Sequence, residues 1–362
     1  MPFDARTLSP EAASAGDEPR HRRAVARWLL AVAAMVWAMV ALGGATRLTG
    51  SGLSIMEWAP LSGSLPPLSE AEWQRLYDLY RSIPQYALVN AGFGIEGFKE
   101  IFWLEWAHRL WGRVIGLAYA GGLAWFWLRG RIPAGYKGRL LVLLALGGLQ
   151  GAVGWFMVAS GFQADRVAVS PYRLVVHLGL ALLLFSVLLW TALTLLRPGP
   201  TPVDAARLRR SLQVAAGLAL LAMLAGGFVA GMRAGFTYNT FPLMDGRLVP
   251  DGYGQLDPFV LNFFENIAAV QFNHRLLASL ALLAGLYAAI RALRLPAGRA
   301  RHAALALGGA LVLQYGLGVA TLLMVVPVWL GTLHQGVAVL VLAAAILALH
   351  ATRRPARIGV SP

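Results

Sequence analysis

Residues 105–110 read EWAHRL and residues 271–276 read QFNHRL, so each stretch places one histidine, His108 or His274, inside a long apolar segment. A second histidine follows each of them further along the chain, His177 after the first and His334 after the second. Because an ionisable side chain within a membrane span is costly, each of these histidines is a candidate for a functional site. Two pairs in the same order predict an internal repeat with one metal or haem site in each half.

The composition of the chain is typical of an integral membrane protein. Of its 362 residues, 58% are hydrophobic and 13% are charged, and the mean hydropathy is +0.61. A soluble domain averages about 25% charged residues. Apolar runs of about 20 residues, each long enough to cross a bilayer as a helix, recur along the chain. They predict an all-α integral membrane protein with eight transmembrane helices, at residues 27–46, 101–128, 139–159, 171–196, 211–232, 263–293, 303–326 and 328–350.

The first apolar segment follows several basic residues, among them Arg22 and Arg27, and so resembles the start of a secretory signal peptide. Its apolar stretch is long, however, and residues 43–47, which read GGATR, are a poor context for cleavage. The sequence therefore favours a retained span.

The net charge of +14 arises from basic residues in alternate loops. They lie in the N-terminal tail and at positions 129–139, 197–210, 291–301 and 353–357. This positive-inside pattern predicts that both termini lie in the cytoplasm, and it accounts for the charge without a nucleic-acid partner. The remaining loops, of which residues 47–100 and 233–262 are the longest, then face outward.

Short motifs recur in the two halves of the chain. Gly43-Gly44 matches Gly226-Gly227, Arg47 matches Arg233, LQGAVG at 149–154 matches LQYGLG at 313–318, and HLG at 177–179 matches HQG at 334–336. Close helix packing explains the small residues but not the histidines. The repeat therefore predicts two pseudo-symmetric four-helix bundles, related by an axis along the membrane normal.

These boundaries divide the chain into five parts. A cytoplasmic tail (1–26) precedes the first four-helix half (27–196), a cytoplasmic linker (197–210) leads to the second half (211–350), and a cytoplasmic tail (351–362) follows. Within each half the two histidines lie near the outer end at depths that agree within roughly one turn. Two imidazoles that face each other in a bundle suit axial ligation of one haem iron.

Other interpretations of the histidines stay open. A single membrane histidine is often a hydrogen-bonded core residue, although four at matched depth favour ligands. Zinc is disfavoured, because the chain has no cysteine and two histidines leave half of a tetrahedral shell empty. A di-haem b cytochrome in quinone-linked electron transfer, or a haem transporter, would share the histidines and the helices. Two redox centres near one face do not favour the cytochrome.

The two pairs differ in the residue three positions before the first histidine. Glu105 precedes His108, whereas Gln271 precedes His274. A buried carboxylate is costly unless it is paired or protonated. Glu105 is therefore either an ion-pair partner of a nearby arginine or a catalytic group, acting as a general base or as a stabiliser of developing positive charge.

Arginines accompany both sites. Arg109 and Arg275 each follow a histidine directly, whereas Arg113 has Ser279 as its counterpart. Guanidinium groups form strong bidentate bonds with carboxylates, so these three arginines are candidates to pair with haem propionates. Aromatic residues near the first site belong either to an interfacial belt or to a porphyrin pocket: Trp103, Trp106 and Trp111.

Together these motifs resemble the haem A synthase family of membrane enzymes. They comprise residues 43–54 (GGATRLTGSGLS), the Glu105-x-x-His108-Arg109 element, Gln150-Gly151, His177, residues 241–244 (FPLM), His274-Arg275 and residues 334–336 (HQG). The resemblance extends from about Arg27 to His350. Some bacterial members carry cysteine pairs in the outer loops, but this chain has none and is more similar to the proteobacterial and mitochondrial branch.

The resemblance implies that the chain oxidises a methyl group of haem O to a formyl group in successive hydroxylations, with water as the oxygen source. It implies a substrate haem site at His108 and His177, haem b as cofactor at His274 and His334, and catalysis by Glu105. It also implies a bacterial inner membrane protein with its haem sites toward the periplasm. The implied partners are haem O, an unnamed electron acceptor and the farnesyltransferase that makes haem O, and a homo-oligomer stays open.

Overall fold

The computed structural model describes residues 10–60, 62–164, 166–199 and 205–353. The predicted tails and linker therefore lie partly outside the described residues, at 1–9, 200–204 and 354–362. Apart from an isolated bridge between Met244 and Arg247, the described residues form only helices, turns and loops. The α-helices are α1 (Pro10–Leu48), α2 (Glu70–Arg81), α3 (Pro84–Leu88), α4 (Ile95–Leu128), α5 (Lys137–Ala159), α6 (Pro171–Leu196), α7 (Ala206–Gly231), α8 (Asn262–Glu265), α9 (Ile267–Ala292), α10 (Arg299–Leu323) and α11 (Val328–Ala351).

The long helices confirm the prediction of an all-α integral membrane protein. Seven helices within the described residues are long and apolar enough to cross a bilayer: α1 from Glu18 onward, α5, α6, α7, α9, α10 and α11. The 34-residue α4 covers the predicted second span but carries Glu105, Arg109 and Arg113. Charged residues, glycines and tryptophans lower the mean hydropathy of α4, so its role as an eighth span stays a prediction.

Proline fixes where two of the histidine-bearing helices begin. Pro171 occupies the first turn of α6, and Pro327, in extended conformation, immediately precedes α11. Proline suits these positions because a helix start does not need its missing N–H group. Both starts place a histidine, His177 or His334, roughly two turns into its helix.

Four helices form the interface between the two halves. In the first half α1 packs against α4 and α6, and α6 packs against α5; in the second half α9 packs against α7 and α10, and α11 packs against α7 and α10. Across the boundary, α1 contacts α11 and α6 contacts α7. The apolar core of the first half continues into α11, where Val339, Leu342 and Ile346 are buried in the same cluster.

The long loop between α1 and α4 folds onto α4 through a buried aromatic cluster, in which Tyr80 stacks on Phe98 of α4. Its α2 begins at the N-cap Ser69, whose side chain accepts a bond from the Glu72 backbone N–H. The buried Tyr80 donates to Gln85 Oε1 at 3.2 Å, and Gln85 Nε2 donates to the Gly50 carbonyl at 2.9 Å. This chain of bonds ties the loop to the end of α1 and fixes the residues that follow Gly50.

Small residues allow α9 and α10 to approach closely in the second half. A Cβ atom placed on Gly308 of α10 would lie 2.9 Å from the Cβ of Ala289 on α9. Gly309, its neighbour, has nothing within 4 Å of such an atom among the described residues. Substitution of each of these two adjacent glycines therefore separates the effect of close helix packing from the effect of intrinsic helix propensity.

We expect Gly308→Ala to lower the free energy of unfolding by about 1–3 kcal/mol, because two rigid methyl groups would overlap. The matched variant Gly309→Ala should be neutral or gain about 0.5–1 kcal/mol, since alanine loses less backbone entropy in a helix. Thermal unfolding of the purified proteins in detergent measures both. Equal midpoints for the two variants would contradict the close packing.

Candidate functional site

The two histidines of the first half lie against glycines of neighbouring helices. A Cβ atom on Gly43 of α1 would lie 3.2 Å from His108 Nε2, and one on Gly154 of α5 would lie 2.9 Å from His177 Cε1. Both imidazoles are partly buried, and they are close enough to interact electrostatically. The fold therefore brings together the pair that the sequence predicted.

The second half repeats these contacts with the same residue types. A Cβ atom on Gly226 of α7 would lie 3.0 Å from His274 Cε1, and one on Gly318 of α10 would lie 2.9 Å from His334 Cε1. These two imidazoles also interact electrostatically. The recurring glycines are thus explained, because any larger residue would displace an imidazole.

The imidazole of His274 has a defined tautomer. Its Nδ1 lies 2.9 Å from the Ala222 carbonyl oxygen of α7. Since a carbonyl oxygen only accepts, Nδ1 carries the proton and Nε2 of the neutral ring keeps its lone pair. This arrangement prepares Nε2 to bind a metal.

A glutamine accompanies the second histidine of each pair. Gln150 Nε2 lies 3.2 Å from His177 Nδ1 and donates to the His177 carbonyl at 3.2 Å. Gln314 Nε2 lies 3.1 Å from His334 Nδ1 and donates to the His334 carbonyl at 3.0 Å. The Oε1 atoms of both glutamines are buried and have no hydrogen-bond partner among the described residues. The sequence motif Gln150-Gly151 therefore marks contacts to the site.

Glu105 is buried and fully hydrogen-bonded. Its Oε2 accepts from the Ser54 hydroxyl at 2.7 Å and from the Ile55 backbone N–H at 2.9 Å. Its Oε1 accepts from Arg109 Nε at 3.0 Å and from Arg109 Nη2 at 2.6 Å. Of the two arginines that follow Glu105 in α4, the structure pairs Arg109 with the carboxylate, and Arg113 binds the loop instead.

Gln271 holds the matching position in the second half with the opposite hydrogen-bond chemistry. Its Nε2 donates to the carbonyls of Ala234 at 2.8 Å and Thr237 at 2.5 Å, and its Oε1 accepts from Arg275 at 3.2 Å. The loop offers carbonyl acceptors here, whereas the loop at Glu105 offers donors. Carboxylate and amide are therefore each matched to their own loop.

Arg109 and Arg275 clamp equivalent loops. Arg109 donates to the carbonyls of Ile55 at 2.5 Å and Glu57 at 2.8 Å, and Arg275 donates to those of Tyr238 at 2.5 Å and Thr240 at 2.8 Å. Ile55 and Tyr238 are as far apart in the chain as Gly43 and Gly226. One alignment therefore relates both the glycines and the loops of the two halves. The predicted match of Arg47 with Arg233 departs from this alignment by three residues and was therefore wrong.

Arg113 and the tryptophans occupy less symmetrical positions. Arg113 donates to the carbonyls of Ala59 at 2.7 Å and Pro60 at 2.9 Å, and its Nη1 is buried without a partner among the described residues. Trp111 donates to the Met35 carbonyl at 3.0 Å. An aromatic pair that was not predicted from the sequence lies at Arg109: Trp155 lies under the Arg109 guanidinium and stacks on Trp58. Only the fold shows this contact, because Trp155 and Trp58 are far apart in the chain.

Outside the membrane, Arg75 braces the loop that Glu105 holds. It forms salt bridges with Glu57 at 2.9 Å and Glu72 at 2.8 Å. The hydrogen bonds from Arg75 lower the pKa of both carboxyls below their usual value. All three side chains are largely exposed, so the contribution to stability is small.

The described residues contain no group of three or more His, Cys, Asp or Glu side chains placed to hold a metal ion. The four membrane histidines thus stand as pairs. Two histidines with no further protein ligand fit a metal whose remaining positions are filled by a porphyrin better than they fit zinc.

We expect Glu105→Gln to lower the free energy of unfolding by about 1–3 kcal/mol, because the amide nitrogen would face either the donors of Ser54 and Ile55 or those of Arg109. The reciprocal change, Gln271→Glu, places a carboxylate against two carbonyls and should also be destabilising. Glu57→Gln, which removes an exposed pair, should change stability by less than about 1 kcal/mol. The unfolding of the three variants in detergent, monitored by proteolysis of the outer loops, compares their stabilities. A Glu105→Gln protein as stable as the Glu57→Gln control would contradict this account of the loop contacts.

Comparison with known proteins places this geometry in a family. The profile of the family described as "Cytochrome oxidase assembly protein" matches residues 26–346, which include the four paired histidines and Glu105. Similar chains named "Heme A synthase" include one from Granulibacter bethesdensis, 58% identical over 94% of this chain and 90% of that protein. Others come from Beijerinckia indica, 50% identical over 92% and 94%, and Rhodospirillum centenum, 49% identical over 92% and 89%. With such identity over nearly the whole length, this chain belongs to the haem A synthase family of cytochrome oxidase assembly proteins.

Proposed function

We propose that this protein is a membrane oxidoreductase that converts haem O to haem A. The observation that carries the proposal is the contrast between two similar sites. Each half pairs two histidines against glycines, but a carboxylate lies beside one pair and an amide lies beside the other. One site is thereby suited to chemistry on its haem, and the other to holding a haem that stays unchanged.

We assign the cofactor site to the second half (211–350), with haem b held by His274 and His334. The residues present fit this group: Gly226 and Gly318 leave room for the imidazoles, and Ala222 holds His274 as the Nδ1–H tautomer. Arg275 stands beside this site, with Nε buried and unpartnered among the described residues, as a donor for a propionate. Haem b would supply a one-electron redox centre here.

We assign the substrate haem to the first half (27–196), at His108 and His177. Arg109 and Arg113 are the candidate partners of its propionates, and the free Nη1 of Arg113 is one donor that could serve. Arg109 already uses its guanidinium nitrogens on Glu105 and the loop carbonyls. Arg109 therefore orients the site, and Arg113 is the better candidate to bind a propionate directly.

Glu105 acts in this proposal as a fixed negative charge. Its oxygens accept four hydrogen bonds, which hold the carboxylate in place but leave it poorly available to abstract a proton. A preorganised charge stabilises positive charge that develops during oxidation of a neighbouring carbon. Of the two roles considered for Glu105, the hydrogen bonds support the charge stabiliser over the general base.

The overall reaction removes four electrons from the methyl group and releases four protons, two from the methyl group and two from the water molecule that supplies the oxygen. The methyl group and two water molecules give a geminal diol, which loses one water to leave the formyl group. A haem held by His274 and His334 would supply a one-electron redox centre between the substrate and an external acceptor. The proposed partners are this electron acceptor and the farnesyltransferase that makes haem O. Assembly of the chain into a homo-oligomer also remains a proposal.

The membrane topology is part of the same proposal. His108 and His274 lie toward the helix ends that join the 49–94 and 232–266 loops, and His177 and His334 lie toward the helix ends that follow the short connections after α5 and α10. Most of the basic residues lie at the opposite helix ends. The positive-inside pattern then supports a bacterial inner membrane protein with the tails (1–26 and 351–362) and the linker (197–210) in the cytoplasm. Both haem sites would face the periplasm.

We expect Glu105→Gln to reduce haem A formation by about 100-fold or more while haem stays bound, because one preorganised charge is lost. Haem extraction and chromatography after co-expression with a source of haem O measures the product. Glu57→Gln is the matched control and should form haem A normally. Normal haem A from the Glu105→Gln protein would remove Glu105 from the reaction.

We expect His274→Ala and His334→Ala to lose haem b, whereas His108→Ala and His177→Ala should keep it and lose haem O or haem A. The same chromatography on purified variants separates the two classes. Two haem b per chain, unchanged when haem O is supplied, would instead support a di-haem electron-transfer cytochrome.

A further inference from the structure

In the second half, α9 and α10 close the side of the bundle beside the histidine pair. A Cβ atom on Gly285 of α9 would lie only 2.1 Å from Cδ1 of Leu311, so the leucine fills the space that the glycine leaves. One turn along α10, the Tyr315 hydroxyl is 2.9 Å from the Ser279 hydroxyl of α9. An apolar contact and a polar bridge thus join the two helices.

The first half lacks both of these contacts. The histidine and glutamine positions relate α4 to α9 and α5 to α10, so Gly147 stands at the position of Leu311 and Gly151 at that of Tyr315. A Cβ atom on either glycine would meet nothing within 4 Å among the described residues. Glycine thus replaces both closing side chains of α10.

The partner positions on α4 have changed as well. Tyr119 stands where α9 has Gly285, and its hydroxyl reaches the Leu140 carbonyl of α5 at 2.8 Å. Arg113 stands where α9 has Ser279, but it donates to the Ala59 and Pro60 carbonyls of the loop. A bulky residue therefore separates the helices where a glycine let them meet. Accordingly, α4 and α5 contact each other at few positions, whereas α9 and α10 pack along much of their length.

The few contacts between α4 and α5 leave an opening between these helices, and the glycines of α5 that border it lie beside the first histidine pair. Gly147 and Gly151 flank Gln150, which contacts His177, and Gly154 lies against the same imidazole. The exposed residues of α5 at this level are apolar, and Leu144 is 38% exposed. A lipid-facing apolar opening beside a haem site fits a hydrocarbon chain rather than a polar group.

We propose that the opening between α4 and α5 binds the isoprenoid chain of the substrate haem and lets that haem enter from the bilayer. The proposal rests on the proposed function, in which only the first half takes haem O. Haem O carries a farnesyl-derived chain that haem b lacks. A closed bundle suits a resident haem without this chain, and an open one suits a substrate that brings it.

The test closes the opening with the residues of the second half. We expect Gly147→Leu with Gly151→Tyr to weaken binding of haem O about tenfold or more, which corresponds to 1.4 kcal/mol or more. Binding of haem b, which has no chain, to the same site should change less than about threefold. Spectroscopic titration of the purified protein, already loaded in its second half, measures both affinities without requiring turnover.

Gly148→Leu is the matched control. Its counterpart on α10, Val312, is 52% exposed, whereas the counterpart of Gly147, Leu311, is 5% exposed. A leucine at 148 should therefore point to lipid and leave haem O binding unchanged. Retention of the second-half haem in every variant shows that the protein has folded.

Equal losses of haem O and haem b affinity, or no loss of either, would overturn the lateral opening. Tyr315→Gly provides an independent check, because it should speed the exchange of the second-half haem. An unchanged exchange rate in that variant would contradict the role of the Tyr315–Ser279 bridge. Failure of the proposed function would look different, since the wild-type protein would then bind haem O without ever forming haem A.

Discussion

The close approach of glycine to imidazole is the contact on which the rest of the structure depends. Each membrane histidine lies against a glycine of a neighbouring helix, at Gly43, Gly154, Gly226 and Gly318. An imidazole inside a bilayer needs both space and polar partners, because an unsatisfied polar group is costly there. The glycines provide the space, the Ala222 carbonyl provides a polar partner for His274, and glutamine amides provide partners for His177 and His334. The packing of the helices and the positions of the imidazoles are therefore set by the same residues.

The two halves differ through coupled changes rather than isolated ones. Glu105 meets a hydroxyl and a backbone N–H, and Gln271 meets two backbone carbonyls. Either side chain in the other setting would place like partners against each other. A carboxylate beside the first site thus requires a loop that presents donors. Divergence of the loops after α1 and α7 accompanies the chemical difference between the sites.

A second set of coupled changes governs how open each half is. Gly285 with Leu311 and Ser279 with Tyr315 join α9 to α10, whereas Tyr119 with Gly147 and Arg113 with Gly151 keep α4 apart from α5. Helix association in membranes depends on small residues that let backbones approach, so exchanging small and large positions opens or closes a bundle. The proposed retention of one haem and admission of another rest on this difference in packing.

The sequence by itself determined the class of the protein, the long helices, the paired histidines and the contrast between Glu105 and Gln271. Apolar runs and ionisable residues within them are local features, so they are legible without a fold. Only the tertiary structure decided which arginine pairs with Glu105, how the loops after α1 and α7 align, and that α4 and α5 make few contacts. These depend on which side chains meet across helices, and residues such as Ser54 and Trp155 approach the site only when distant segments pack together. Sequence similarity aligned Arg47 with Arg233, whereas the hydrogen bonds from Arg109 to Ile55 and from Arg275 to Tyr238 align the two loops differently. The sequence could not show this alignment, because these bonds go to backbone carbonyls, which every residue has.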